Sequence, residues 1–333
     1  METRIKERYN DTILEETMRR FGMPPDRIRL LDGFESFMYE FERDGGDYIL
    51  RIGHSLRRNE NLIQGEVDWI NYLAAGGASV ARAVLSEQGN LVEAIDDGRG
   101  GQFLATAFVR ARGRPPWEVG WTPALFETYG QLVGRMHALT KRYAPRELAW
   151  MRPQWDDAIM LEVEGYLPPP DGVVVERFRA LMEHLQSLPR DGESYGLIHF
   201  DAHEANMFVD EAGTLTLFDF DDCNYSWFAN DIAIVLFYMA MWKEDVQAFT
   251  REFMTHFLRG YRRENRLDPV WLSEIPHFLK LREMDLYAII HRSFDVDNLD
   301  DPWCRRYMEG RKERIENDVP YIDFPFESLA GEL

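Results

Sequence analysis

The stretch Leu197–Asp222, LIHFDAHEANMFVDEAGTLTLFDFDD, sets short polar side chains among strand-like apolar runs more densely than any other part of the chain. Leu197, Ile198 and Phe200 form one run, Met207–Val209 a second and Leu215–Phe220 a third. Asp210-Glu211-Ala212-Gly213 separates the last two and reads as a hairpin turn. If the hairpin closes about Glu211 and Ala212, Val209 lies opposite Thr214 and Asn206 opposite Leu217. Side-chain alternation then sends Asn206 and Asp219 to one face, as diagonal neighbours about 7 to 8 Å apart at the backbone. Two oxygen ligands at that separation can hold one hard divalent cation, and Mg2+ usually takes one or two protein groups plus phosphate oxygens and water. Asp201 opens the loop that feeds the hairpin. It stands beside such an ion without needing to ligate it, where a carboxylate can orient an attacking hydroxyl.

The spacing His199-x-Asp201-x-x-x-x-Asn206, followed by Asp219-Phe220-Asp221, matches the logic of a catalytic-loop Asp and Asn followed by a metal-binding Asp. On these residues the chain resembles the aminoglycoside phosphotransferase and choline kinase-like superfamily. That resemblance implies an α+β, bilobal protein-kinase-like fold, with an N-terminal antiparallel sheet carrying one inserted helix and a mainly helical C-terminal lobe holding a small active-site hairpin. It further implies Asp201 as catalytic base, Asn206 and Asp219 as Mg2+ ligands, His199 as a scaffold residue of the catalytic loop and Asp231 as its brace. Phe200 stands where many members have Gly, and Ala205 where many have Gly before the Asn.

The activity implied is transfer of the γ-phosphate of ATP or GTP to a hydroxyl of a small molecule of aminoglycoside, amino alcohol or amino acid type. A nucleotide-binding module without turnover and a Ser/Thr protein kinase of the same fold are the alternatives. His199, Asp201 and His203 also form a possible Zn2+ or Mn2+ cluster of hydrolase type. Such hydrolases sit on parallel α/β sheets with further ligands at several strand ends, whereas here a hairpin follows.

Composition narrows the field independently. At 333 residues, 45% hydrophobic and 13% aromatic, the chain has material for a sizeable core and two or so domains. A formal charge of -20 argues against nucleic acid, whose phosphates require clustered Lys and Arg, and against a membrane surface. The charged N-terminus METRIKERYNDTILEE lacks the apolar core of a signal peptide, and the longest apolar run, Ile232–Trp242, falls well short of the ~18 residues that span a bilayer. Only Cys223 and Cys304 are present, without metal-type spacing, which suits a reduced cytoplasmic setting.

Read in order, residues 2–21 predict a helix ended by Gly22, Pro24 and Pro25, and strands follow at 28–31, 37–41 and 48–52. A helix over 59–75 is closed by Gly76-Gly77, and further strands are expected at 80–85, 91–95 and 103–109. The turn chemistry makes this sheet antiparallel. Residues 1–109 thus read as a nucleotide-binding lobe, 110–122 as a Pro-, Gly- and Arg-rich linker, and 123–333 as a catalytic and substrate lobe. By the resemblance, Arg51 on the third strand and Glu66 on the inserted helix occupy the places of a phosphate-contacting Lys and the Glu that holds it. The turn Gly33-Phe34-Glu35-Ser36 would cover the phosphates, with Gly33 and Ser36 carried over. After Thr122-Pro123 a helix is expected through 140, then helices at 174–187, 230–241, 244–264, 269–294 with a break near Pro276, and 302–317. Asp221, Asp222, Tyr225 and Trp227 follow Asp219 directly and are candidates to face the acceptor, because acids beside aromatic rings suit an ammonium group.

Overall fold

The computed structural model describes residues 2–33 and 35–333; Phe34, in the middle of the expected phosphate-covering turn, lies outside the described residues. Its strands are β1 (Ile28–Leu31), β2 (Phe37–Arg43), β3 (Gly46–His54), β4 (Ala83–Val84), β5 (Glu93–Asp96), β6 (Gln102–Val109), β7 (Tyr195–Ile198), β8 (Met207–Val209), β9 (Leu215–Leu217) and β10 (Asn224–Trp227). Two compact units form. The first comprises Met1–Glu118, Arg142–Arg152 and Met207–Asp221; the second comprises Val119–Lys141, Pro153–Asn206 and Asp222–Leu333. Neither is a single run of sequence, and the hairpin that follows the catalytic loop belongs to the first.

In the first unit the sheet runs β1-β2-β3-β6-β4, with β5 also pairing β6, and every pairing is antiparallel. Asp44 and Gly45 connect β2 to β3 with positive φ angles of 52° and 76°, the conformation a tight hairpin turn demands. One helix was expected over 2–21, but two are present, Thr3–Lys6 and Asp11–Phe21. Asn10 divides them, its side chain accepting the N–H groups of Thr12 at 3.0 Å and Ile13 at 3.3 Å as an N-cap. The second helix buries Ile13 and Phe21 against Phe41, Leu50, Ile52 and Phe103 of the sheet. The inserted helix is Glu60–Ala75, capped by Asn59.

The strand expected at 80–85 shrinks to β4 because its leading residues pair elsewhere. Ala81 donates to Leu217 O at 2.9 Å and Leu217 donates to Ser79 O at 3.0 Å, which ties the β8–β9 hairpin to this unit. The hairpin's register also differs from expectation: Val209 pairs with Leu215 and Met207 with Leu217. The cause is the turn. Asp210 Oδ1 accepts N–H bonds from Ala212 at 2.9 Å and Thr214 at 2.8 Å, which draws Thr214 into the loop. Strand β9 then stops at Leu217, so the alternation that would align Asn206 with Asp219 does not run that far.

The second unit is mainly helical, with Pro123–Thr140, Gly172–Gln186, Phe228–Ala240, Val246–Tyr261 and Ile275–Ser293 as its long helices. Thr122 caps the first of these at Leu125 N–H, 3.2 Å, with Pro123 at the first helical position. Pro276 was expected to break a helix; it sits in the first turn of Ile275–Ser293, where its missing N–H costs nothing. The segment expected as one helix over 302–317 is divided at Gly310, whose φ is 63°. An antiparallel pair, β7 with β10, carries the loop of residues 199–206 out of the core and returns the chain from the hairpin. No helix among the described residues is long and apolar enough to cross a membrane.

Candidate active site

In the second unit, residues 199–206 follow β7 and are held from several sides. Phe200 adopts a φ of 67°, the left-handed conformation that costs a non-glycine residue roughly 1–2 kcal/mol. Buried Asp231, in the first turn of Phe228–Ala240, supports it: Oδ1 accepts the Phe200 N–H at 2.9 Å and Oδ2 the His199 N–H at 3.3 Å. The same carboxylate bonds His137 Nε2 at 3.0 Å, and His137 Nδ1 meets Tyr261 Oη at 2.9 Å. A fully buried polar chain therefore fixes the loop's backbone from behind. On another side Tyr129 donates its hydroxyl to Ala202 O, and Trp121 Nε1 donates to Glu204 at 2.8 Å.

Asp201 is gripped by a side chain distant from it in sequence. Arg282, in the helix Ile275–Ser293, donates to Asp201 Oδ1 at 2.6 Å, to Tyr238 Oη at 2.7 Å and to Asp285 at 2.9 Å. His203 Nε2 lies 3.2 Å from Asp201 Oδ2. Burial pushes the Asp201 carboxyl up, but His203 and Arg282 together outweigh it and hold it well below the usual carboxylate range. Burial also dominates at Asp285, raising it to about 6 against the pull of Arg282, with Asp222 adding to the rise. Asn206 donates its amide to Asp201 O at 3.0 Å and Oδ2 at 3.1 Å, which leaves Oδ1 as the atom able to meet a cation.

In the first unit, Arg51 on β3 is not a strand residue with its head in water. Its guanidinium is buried and pairs bidentately with buried Glu66 of the inserted helix, at 2.9 and 2.6 Å. Asp219, with a φ of 62° and a side chain 56% exposed, reaches to 4.0 Å of Arg51. Gly33 is required where it stands, since a Cβ there would come within 2.2 Å of Ser36 O. Ser36, Arg51, Gly53, Arg57, Arg58 and Asp221 share the lining of a small cleft. Glu35, in the turn beside Ser36, pairs with Arg57.

Two residues considered for the acceptor are taken out of that role by their surroundings. Asp221 lies inside a cage of arginines: Arg57 pairs with it, Arg51 is at 3.9 Å and Arg58 at 3.7 Å, while Arg152 donates to its backbone oxygen at 2.6 Å. Burial would raise its carboxyl, and the four guanidinium groups depress it instead. Trp227 is fully buried, donates to Pro189 O at 2.8 Å and packs against Trp155. Tyr225 is half-buried, with its main chain pinned between Pro153 and Trp155, and Asp222 is half-buried. His199 Nδ1 accepts the Asp201 N–H at 3.2 Å and His203 Nδ1 the Ala205 N–H at 3.1 Å, and His199, Asp201 and His203 do not converge as a possible metal set. Among the described residues the His, Cys, Asp and Glu side chains that converge as a possible metal set are others, His184, Glu274 and His277. Arg57, Arg58, Arg152 and Arg282 were missed in the sequence; only the Arg57-Arg58 pair soon after β3 offers a local signal.

The profile of the phosphotransferase enzyme family matches residues 27–270. The chain belongs to that family, and it is a kinase. It is 40% identical over 327 residues to the amicoumacin kinase of Bacillus subtilis (strain 168), covering 97% of this chain and 96% of that protein. Among solved structures it is similar to amicoumacin kinase hAmiN in complex with AMP-PNP, Ca2+ and Ami, with a TM-score of 0.94, 39% identity and coverage of 99% and 100% of the two chains. A microcompartment-associated aminopropanol kinase shares the fold at a TM-score of 0.75 and 22% identity, covering 93% of this chain and 98% of the other. The α+β protein-kinase-like fold expected from the resemblance is the one these structures share, and the small-molecule phosphotransferase reading stands.

Proposed function

We propose that this kinase transfers the γ-phosphate of ATP to a hydroxyl of amicoumacin or a closely similar small molecule, with Mg2+ as its ion. The observation that carries the reading is the likeness over almost the whole of both chains to an amicoumacin kinase solved with AMP-PNP, Ca2+ and Ami. The residues support it. Asp201, ionised and gripped by Arg282 and His203, orients the acceptor hydroxyl and receives its proton. Arg51, locked by Glu66, presents a fixed guanidinium edge to phosphate oxygens, and Gly33 and Ser36 shape the turn that covers them. His199 and Asp231 act as scaffold, fixing the loop that carries Asp201. Asn206 Oδ1 and the half-exposed Asp219 carboxylate are each hard oxygen donors and the candidate metal ligands, and a bound divalent ion would neutralise phosphate charge. Positioning and electrostatics account for most of the acceleration, since the phosphoryl transition state is loose. Two buried cysteines outside any disulfide fit a reduced cytoplasmic setting.

The test is to incubate purified protein with ATP, Mg2+ and amicoumacin, following ADP release and the mass gain of one phosphoryl group. Asp201→Asn should bind nucleotide as wild type does and lose roughly 10²- to 10⁴-fold in turnover. Asp219→Ala should abolish the metal-dependent part of nucleotide affinity. Nucleotide binding without transfer to amicoumacin or a panel of hydroxylated amines would replace this reading with that of a non-catalytic module.

A further inference from the structure

The second unit carries a convergent set of side chains that phosphoryl transfer does not use. His184 lies in the last turn of Gly172–Gln186, Glu274 ends the 3-10 segment Pro269–Glu274, and His277 lies in the first turn of Ile275–Ser293. Glu274 Oε2 is 2.7 Å from His184 Nε2 and 3.0 Å from His277 Nδ1, and one ligand atom from each residue falls within 4.8 Å of the others. The two imidazole rings lie 4.1 Å apart at their centroids, tilted by 38°.

Two features separate this set from an ordinary surface ion pair. The first is that one carboxylate oxygen, Glu274 Oε2, faces both imidazoles at once, with His277 Nδ1, shielded from solvent, at 3.0 Å and His184 Nε2 at 2.7 Å. Secondly, two imidazole nitrogens and one carboxylate oxygen make up a donor set suited to a borderline divalent ion rather than to Mg2+ or Ca2+.

The spacing is workable. With ligand distances of about 2.0–2.2 Å in a tetrahedral site, donor atoms lie roughly 3.3–3.5 Å apart. The contacts of 2.7 and 3.0 Å must therefore open by a few tenths of an ångström, which is open to His184 and His277, whose side chains are 38% and 42% exposed. We propose that His184, Glu274 and His277 bind one divalent transition-metal ion of the zinc type, with water completing the coordination. The ion clamps the end of Gly172–Gln186 to the start of Ile275–Ser293, the helix that carries Arg282.

The test uses the whole protein, stripped with chelator and then saturated with Mg2+ and AMP-PNP so that the nucleotide site is occupied. Titration with Co2+, followed by its visible absorption, and with Zn2+, followed by calorimetry, should show one site per chain. His184→Gln/His277→Gln should lose it, and Glu274→Gln should weaken it at least ~10-fold. Binding should weaken on acidification, because protons compete with the metal for its ligand atoms. Zn2+ should raise the melting temperature of wild type and leave the double variant unmoved, while Mg2+-dependent turnover is the same in both. If the double variant does not fold, Glu274→Gln and the wild-type Co2+ spectrum decide alone. Failure of wild type to bind Co2+ or Zn2+ under Mg2+·AMP-PNP, or binding of equal affinity in wild type and variants, overturns the proposal whatever becomes of the kinase reading.

Discussion

Arg282 couples Asp201, the carboxylate proposed to meet the acceptor, to a helix distant in sequence. Its planar fork serves Asp201, Tyr238 and Asp285 together, which a lysine ammonium cannot reproduce as one rigid unit. Arg282→Lys should keep the fold and lower kcat by roughly 10- to 100-fold, because a small misplacement of a positioned group is costly. The pH profile distinguishes lost positioning from lost folding. The Asp201 carboxyl is depressed in the folded protein, so its contribution to stability is present above the unfolded value and lost only as pH falls through the lower folded one. Arg282→Ala removes one of the cations that depress it, so the acidic limb of kcat/KM should move to higher pH. An unmoved limb in a folded variant would show that Arg282 does not set the charge of Asp201. The sequence could not announce this pair, since 81 residues separate its members and Arg282 sits among ordinary helix residues. The Arg51–Glu66 pair was legible because strand and helix positions around it were, while Asp201, Asn206 and Asp219 are proposed on their spacing, which is itself a pattern. Asp221 misled because an acid beside aromatic residues reads alike whether it faces a ligand or a cage of arginines.

Elements with strong end signals came through the sequence nearly unchanged: Pro123–Thr140 with its Thr cap, Glu60–Ala75 with its Asn cap, and the β2–β3 hairpin at Asp44-Gly45. Elements whose ends depend on partners did not. β4 lost residues to β9, and the β8–β9 register moved by one because Asp210 enlarged the turn. The closest helix packing was also hidden. Helices Pro123–Thr140 and Val246–Tyr261 approach until backbones nearly touch: a Cβ at Gly130 would lie 1.8 Å from Phe257 O, and one at Gly260 1.9 Å from Glu127 O. A helix glycine reads as a weakness from sequence, because alanine is better by about 1 kcal/mol in an isolated helix. Here the contact reverses the sign. Gly260→Ala should destabilise by about 1–3 kcal/mol or more through overpacking, measured by denaturant unfolding. Neutral or increased stability would mean that the two helices separate at little cost.

For the whole molecule, the excess of acid, a formal charge of -20, bears on function through the acceptor rather than through the fold. Most of that charge is solvated surface, so a particular carboxylate has to be singled out. With Asp221 enclosed by arginines and Trp227 in the core, Asp222 is the remaining acid of the four residues considered for the acceptor. It is half-buried, and its charge contributes to the raised Asp285 carboxyl, which places its field within the Asp201–Arg282–Asp285 network of the second unit. An ammonium taken out of water needs a paired anion, and Asp222 is the acid we propose for that part. If the acceptor is cationic, Asp222→Asn should raise its KM several-fold, leave the KM for ATP unchanged and lower kcat little, because uniform binding rather than transition-state stabilisation is lost. Wild-type kcat/KM should fall with added salt as the long-range field is screened, and the variant should respond less steeply. A KM for acceptor that is unchanged in Asp222→Asn, together with salt curves that superimpose, would assign acceptor recognition to groups other than this carboxylate.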